Sequence, residues 1–128
     1  MTLATHTTFG QLPAIHIEAP DGAQATIALY GAHLVSWKGA DGRERMFMSG
    51  KSVLDGSRAI RGGVPVIFPQ FAQQGSGMRH GFARVSNWRL EDSGLETGGP
   101  EDGAAWASFD LAAGDLSTSV ADAWPHTF

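Results

Sequence analysis

Short apolar stretches that alternate with polar residues constrain the fold of this chain most. Ile15 and Ile17 alternate with His16 and Glu18, and the residues Ala-Pro-Asp-Gly at 19–22 then supply turn chemistry. No window of 11 or more residues shows a helical period. The pattern predicts strands at 14–18, 24–29, 33–37, 44–48, 82–90 and 105–111, with 116–121 as a candidate partner of the last one. The fold is therefore predicted to be all-β, an antiparallel sandwich or barrel, preceded by a loose polar lead-in over residues 1–11.

The stretch 59–84, AIRGGVPVIFPQFAQQGSGMRHGFAR, is the most informative part for function. Gly62 and Gly63 allow positive φ or a close backbone approach to a ligand. Pro65 and Pro69 are excluded from central strands, so they indicate a sheet edge or a cavity wall. Arginines at both ends of this apolar wall suggest that an anion binds here.

Composition excludes several classes of function. The 128 residues are enough for one domain, 1–128, and 42% hydrophobic with 17% charged residues is typical of a globular chain. A net charge of −4 argues against broad binding to nucleic acid or to an anionic membrane. The chain has no cysteine, its five histidines are scattered, and no signal sequence is recognisable. We expect a cytoplasmic protein with no metal and no cofactor.

Arg61 and Arg84, with Lys51 in the preceding polar loop, are the candidates for a phosphate site. Charge-assisted donors near a glycine-rich turn can bind an anion without a net basic charge on the chain, because they act locally. The alternative is that the two arginines pair with Asp55 or Glu91 as surface salt bridges.

His80 follows a flexible Gly-Ser-Gly loop and is a candidate ligand for a sugar hydroxyl. The alternative is a histidine that satisfies loop carbonyls. His33, beside Trp37 in a predicted strand, is interpreted as structural. Phe71 is interpreted as a pocket neighbour, whereas the other aromatic residues of this region are more typical of a core.

Several motifs resemble one family. IRGGVPVIFPQFA at 60–72 and HGFAR at 80–84 resemble the signature region of the hexose-6-phosphate mutarotases, the glucose-6-phosphate 1-epimerase branch of the aldose 1-epimerase superfamily. GAHLVSW at 31–37, DGRERMFMS at 41–49 and WPHTF at 124–128 resemble further segments of that family. The resemblance covers most of the chain from about Tyr30 onward.

The resemblance implies a fold, an activity and a set of roles. The fold would be the antiparallel sandwich of the mutarotases, of which this chain supplies roughly the first half. The activity would be that of an isomerase that interconverts the α and β anomers of hexose 6-phosphates without a cofactor. By resemblance Arg61 and Arg84 bind the phosphate, Lys51 is a weaker candidate, His80 lies in the sugar site, and Gln70 and Phe71 are its neighbours.

Mutarotation needs an acid and a base on opposite sides of the sugar ring. The 13 acidic residues lie in turns, polar loops or exposed strand faces, so none is a good base. The resemblance places the catalytic His and Glu beyond Phe128, so this chain is expected to bind substrate but to turn over little alone. Two alternatives remain: a non-catalytic carbohydrate-binding β-domain, and a truncated product or interaction module that self-associates through unpaired sheet edges.

Overall fold

The computed structural model describes residues 4–124 and residue 127. Antiparallel strands and irregular segments make up most of this part of the chain. The elements are β1 (Ala4–Phe9), β2 (Leu12–Glu18), β3 (Gln24–Ala28), β4 (His33–Lys38), β5 (Arg89–Leu95), β6 (Ala105–Asp110) and the helix α1 (Thr118–Ala123), with 3₁₀ turns at Ala83–Val85 and Ala113–Asp115.

The first four strands form an antiparallel meander in the order β1-β2-β3-β4, and β5 and β6 form a separate hairpin. The predicted turn at 19–22 joins β2 to β3. There Gly22 takes φ +92°, and the Asp21 carboxylate accepts a hydrogen bond of 2.9 Å from the Ala23 N–H. The turn residues therefore fix the β2–β3 register. The antiparallel sheets confirm the all-β prediction.

The two faces of the meander are both covered. On one face Ile15, Ile17 and Ile27 pack against the β5–β6 hairpin, with Ala107 and Phe109 among the contacts. Strand residues whose side chains point to the other face form a second cluster with two loop residues. Its members are Leu12, Ala28, Tyr30, Val35 and Ile60. Burial on both faces explains why β2 is rich in apolar residues, and it gives the layered packing of a partial sandwich.

The segment that carries Arg61 pairs at the outer edge of the meander. Val64 exchanges two backbone hydrogen bonds with Leu34, of 2.9 and 3.2 Å, and Gly62 forms an antiparallel bridge with Met48. The predicted strand at 44–48 is thus present only as isolated bridges. This pairing fixes the backbone on both sides of residues 62 and 63.

Three predictions about local structure were wrong. Residues 4–9 are not a loose lead-in but an edge strand. Its residues 5–8 are exposed, so polar side chains are compatible with a strand there. The strand predicted at 82–90 begins only at Arg89, and a 3₁₀ turn precedes it. Hydrogen bonds from Trp88 Nε1 to the Ala83 carbonyl (2.9 Å) and from Ser86 Oγ to the Phe82 carbonyl (2.8 Å) stabilise this turn. The candidate strand at 116–121 is largely the six-residue helix α1, too short to show a period.

Of the resembling segment WPHTF, residues 125, 126 and 128 lie outside the described residues. No helix in the described ranges has the length and hydropathy that a membrane crossing requires.

Candidate functional site

Gln70 organises the loop that leads to His80. Its Nε2 donates to the Ala72 carbonyl at 2.9 Å, and its Oε1 accepts from the Gly77 N–H at 2.9 Å. The loop closes where the His80 N–H donates to the Ala72 carbonyl at 2.9 Å. A further hydrogen bond of 3.5 Å joins Gln70 Nε2 to the Gly75 carbonyl, so both ends of the Gln70 amide hold the loop.

His80 is held in one tautomer by the same loop. Its Nδ1 accepts a 3.0 Å hydrogen bond from the Ala72 N–H, so the ring proton of the neutral form is on Nε2. Partial burial, and then the charges of Arg84 and Arg79, lower the pKa of His80 below its usual value. The imidazole is neutral at pH 7, and within the described residues its Nε2–H has no hydrogen-bond partner.

Phe71 is 66% exposed and contacts the His80 ring edge to face, with centroids 5.1 Å apart. The aromatic face of Phe71 that the imidazole leaves uncovered is open to solvent. Phe71 and His80 together thus present an apolar surface beside an N–H donor, a combination that suits a sugar ring.

Arg84 lies directly after HGFA and folds back over the loop. Its Nη2 donates to the Arg79 carbonyl at 3.3 Å, while its Nε is buried and has no partner in the described part of the chain. Its charge also acts on Tyr30: burial raises the pKa of the Tyr30 hydroxyl above its usual value, and the Arg84 guanidinium opposes this only in part. A buried donor that lacks a partner is rare in folded proteins, and no ion pair within the described residues uses the charge of this guanidinium.

Arg61 and Lys51 are placed by a different loop. The Arg61 N–H donates to Ser52 Oγ at 3.2 Å, and the Arg61 carbonyl accepts from Ser52 Oγ at 2.8 Å and from the Ser49 N–H at 2.9 Å. The Lys51 N–H in turn donates to Ser49 Oγ at 3.2 Å. Both side chains are exposed. Two serines that sequence reasoning missed, Ser49 and Ser52, thus fix the backbone that carries these two cations.

His33 supports this arrangement from below. It is 1% exposed, and its Nε2 donates to the Gly62 carbonyl at 2.6 Å. Burial lowers the pKa of His33, and the hydrogen bond to Gly62 opposes this only in part. His33 therefore has a structural role: its neutral imidazole holds the turn that follows Arg61.

The candidates fall into two groups. Gln70, Phe71, His80 and Arg84 belong to one loop, whereas Arg61 and Lys51 belong to another. Across the described ranges, no hydrogen bond or ion pair joins the groups, and neither arginine pairs with Asp55 or Glu91. The salt bridges there are Arg45 with Asp41, and Arg89 with Asp110 and Asp115.

The charge pattern along the chain is a signal that sequence reasoning overlooked. Residues 56–90 contain five of the nine cationic residues and none of the 13 acidic ones. Both arginine candidates and His80 lie within this interval. The interval is therefore positive along the sequence of a chain with a net charge of −4, although Arg89 is paired with Asp110 and Asp115.

The carboxylates lie elsewhere and are tied to the backbone. Glu44 accepts hydrogen bonds from the Ser36 hydroxyl and from the N–H groups of Trp37, Arg45 and Met46. Burial raises the pKa of Glu44, but these hydrogen bonds lower it by more. The described residues contain no group of three histidines or carboxylates placed to hold a metal.

The model of the family described as aldose 1-epimerase matches residues 13–128. The chain belongs to the aldose 1-epimerase family. A protein of Escherichia coli K12 named "Putative glucose-6-phosphate 1-epimerase" is 39% identical over 121 residues, which cover 92% of this chain and 38% of that protein. A protein of Cenchrus ciliaris with the same name is 36% identical over 104 residues, covering 81% and 31%.

The fold agrees with that of a solved structure. A Salmonella typhimurium protein described as "a putative mutarotase (YeaD)" matches with a TM-score of 0.74 and 30% identity, over 97% of this chain and 40% of that one. This aldose 1-epimerase chain thus spans about 31–40% of the length of these relatives, less than the half that the resemblance implied.

Proposed function

We propose that this chain forms the phosphate and sugar binding part of an epimerase that interconverts the anomers of hexose 6-phosphates. Membership of the aldose 1-epimerase family supports the reaction class. The observation that carries the proposal is the Nε2–H of His80, which has no partner within the described residues and lies in the field of the Arg84 guanidinium. An anionic sugar suits this combination of a neutral hydrogen-bond donor and a nearby positive charge.

Each residue has a defined part in this proposal. Arg84 binds the phosphate through a guanidinium that pairs with no carboxylate of the described residues, and the exposed Arg61 and Lys51 add positive charge from the second loop. His80 donates its Nε2–H to a ring hydroxyl, and Phe71 offers an apolar face to the pyranose. The acid and base that open the ring come from residues that this chain does not contain.

Titration calorimetry or ³¹P NMR with glucose 6-phosphate tests the proposal. A charge-assisted hydrogen bond contributes about 1.5–3 kcal/mol, so Arg84→Ala is expected to weaken binding by roughly 10-fold to 100-fold. Arg58→Ala is the matched control, because Arg58 is an exposed arginine of the same positive interval and loss of its charge should change affinity little.

Glucose, which lacks the phosphate, distinguishes the alternatives. If glucose binds as tightly as glucose 6-phosphate, the chain is a carbohydrate-binding domain without phosphate recognition. If Arg58→Ala and Arg84→Ala weaken binding equally, only the general positive charge matters and the assignment of Arg84 is wrong. Exchange NMR of the two anomers measures turnover, and we expect no acceleration by the chain alone.

A further inference from the structure

Strand β1 forms one border of the four-stranded meander. β2 pairs with one side of β1, and across the described ranges no backbone hydrogen bond reaches its other side. The opposite border of the meander is β4, which is already covered by bridges to Val64 and Glu44. Backbone groups of β1 are therefore open along one edge of the sheet.

Pro13 indicates which residues of β1 point to this open edge. The Pro13 carbonyl accepts a 3.0 Å hydrogen bond from the Leu29 N–H, so its backbone faces β3. Thr8 lies opposite Pro13, and the backbone groups of Thr8 therefore face away from β2. Because the direction alternates along an antiparallel strand, the backbone groups of His6 and Ala4 face outward as well. Each of these three residues offers one N–H and one carbonyl at the edge.

β1 lacks the features by which proteins usually protect a sheet edge, which are charged side chains, proline or a bulge. Its sequence, Ala-Thr-His-Thr-Thr-Phe, has no proline, lysine, arginine or carboxylate, and its pairing with β2 shows no register shift. Strand β5, by contrast, carries Arg89, Glu91 and Asp92. Threonine also favours extended backbone. Another strand can thus approach β1 without removing a charged side chain from water.

The outward groups of β1 are complementary to those of a second copy of β1. Two antiparallel copies related by a twofold axis pair most completely when His6 lies opposite His6. Ala4 of each copy then lies opposite Thr8 of the other, so all three outward residues are paired. At two hydrogen bonds for each of the three pairs, about six form. A register displaced by two residues keeps only two of these pairs and about four hydrogen bonds, so one register is preferred.

The side chains agree with this register. Thr5 of each copy faces Thr7 of the other, and cross-strand pairs of threonine are favourable. Both threonines are exposed in the single chain, so they are free to make this contact. Six residues extend over only about 20 Å, and the contact therefore buries less than about 1,200 Å². A weak dimer is expected, with a Kd on the order of 0.1 mM.

We propose that β1 is a self-association edge, at which two copies of this chain join their meanders into one continuous antiparallel sheet with the twofold axis at His6. The pairing uses backbone groups and threonines that lie outside both loops of the candidate site. It therefore does not depend on binding of a sugar or a phosphate.

Sedimentation velocity and amide exchange by NMR test the proposal on the full chain. With a Kd of about 0.1 mM, the monomer fraction falls from about 0.6 at 50 µM chain to about 0.2 at 1 mM. The His6 and Thr8 amides should therefore exchange about threefold more slowly at the higher concentration. The Thr5 and Thr7 amides already face β2, so their exchange should change less.

Matched variants locate the axis. His6→Glu places two carboxylates directly opposite each other and should raise Kd by at least about fivefold. Thr7→Glu is the control, because it adds the same charge to the same strand but faces Thr5 of the second copy, and it should raise Kd by less than about twofold. His6→Pro removes an N–H that β2 does not use, so it should abolish the dimer while circular dichroism shows an intact fold.

The outcomes separate clearly. A dimer whose His6 and Thr8 amides are protected with rising concentration, and which His6→Glu weakens more than Thr7→Glu, supports the self-association edge. A chain that stays monomeric at 1 mM would overturn it and leave the edge to a different partner. A dimer in which these amides remain open, in which both glutamates act equally, or which persists in a folded His6→Pro variant would also overturn it, because another surface would then form the contact.

Discussion

Replacement of Gly63 by alanine tests how the turn after Arg61 is built. Gly63 takes φ +63°, and a Cβ at this position would lie 3.1 Å from His33 Nε2 and in direct overlap with the Leu34 carbonyl oxygen. Gly42 is a natural control, because it also takes a positive φ, of +77°, and an added Cβ would meet no atom within 4 Å. The two substitutions share the backbone strain and differ in the overlap.

The expected magnitudes follow from this difference. Left-handed backbone in a residue with a Cβ costs about 1–2 kcal/mol, which is the loss expected for Gly42→Ala. In Gly63→Ala the Leu34 backbone must also move, which endangers the two hydrogen bonds between Leu34 and Val64. At about 1 kcal/mol each, these raise the total to roughly 3–4 kcal/mol. That is a large share of an ordinary domain's stability, about 5–15 kcal/mol.

Urea unfolding, followed by far-ultraviolet circular dichroism, measures both variants against the parent chain. The difference of about 2 kcal/mol corresponds to roughly a 30-fold difference between the unfolding constants. Equal destabilisation by the two alanines would refute the argument, because the close approach of Gly63 to β4 would then contribute nothing.

Three further predictions concern individual side chains. Because burial lowers the pKa of His33, its contribution to stability is complete above about pH 6.5 and is lost as the pH falls through its folded pKa, with a slope of at most about 1.4 kcal/mol per pH unit. In urea titrations from pH 5.5 to 7.5 (roughly the range where histidine titrates), His33→Gln should flatten this slope, and an unchanged slope would contradict the assignment. Gln70→Ala should speed exchange of the Gly77 amide by about fivefold through the loss of one hydrogen bond; NMR measures this, and an unchanged rate would mean that Gln70 does not hold the loop. Ile15→Ala should cost about 2–5 kcal/mol in urea unfolding, because Ile15 is fully buried, and a loss below 1 kcal/mol, roughly that of a surface site, would count against the two-faced core.

The sequence patterns predicted β2, β3, β4 and β6 well because each has an alternating or apolar run next to turn residues. β1 was missed because a strand at a sheet edge needs no apolar face and its residues 5–8 are polar and exposed. The helix α1 was missed because six residues are too few to show a helical period. Local patterns thus missed β1, whose structure depends on pairing with β2, and α1, which has only six residues.

For the site, the chemical types of residues were predictable but their contacts were not. Nothing in the sequence indicates that Gln70 would bond to its own loop, or that Ser49 and Ser52 would hold the backbone of Arg61. Gly62 and Gly63 do take positive φ, which glycine allows because it has no Cβ. These contacts depend on the path that each loop backbone takes, which the chemical type of a single residue does not determine.

The separation of charge along the chain has a consequence for how an anion arrives. At about 0.01 M salt the Debye length is about 30 Å, so an approaching phosphate senses the whole chain, whose net charge of −4 repels it. At about 0.1 M salt the Debye length is about 10 Å, and only the nearby arginines of residues 56–90 act on it. Association beside Arg84 should therefore speed up between these two salt concentrations, the reverse of ordinary electrostatic steering.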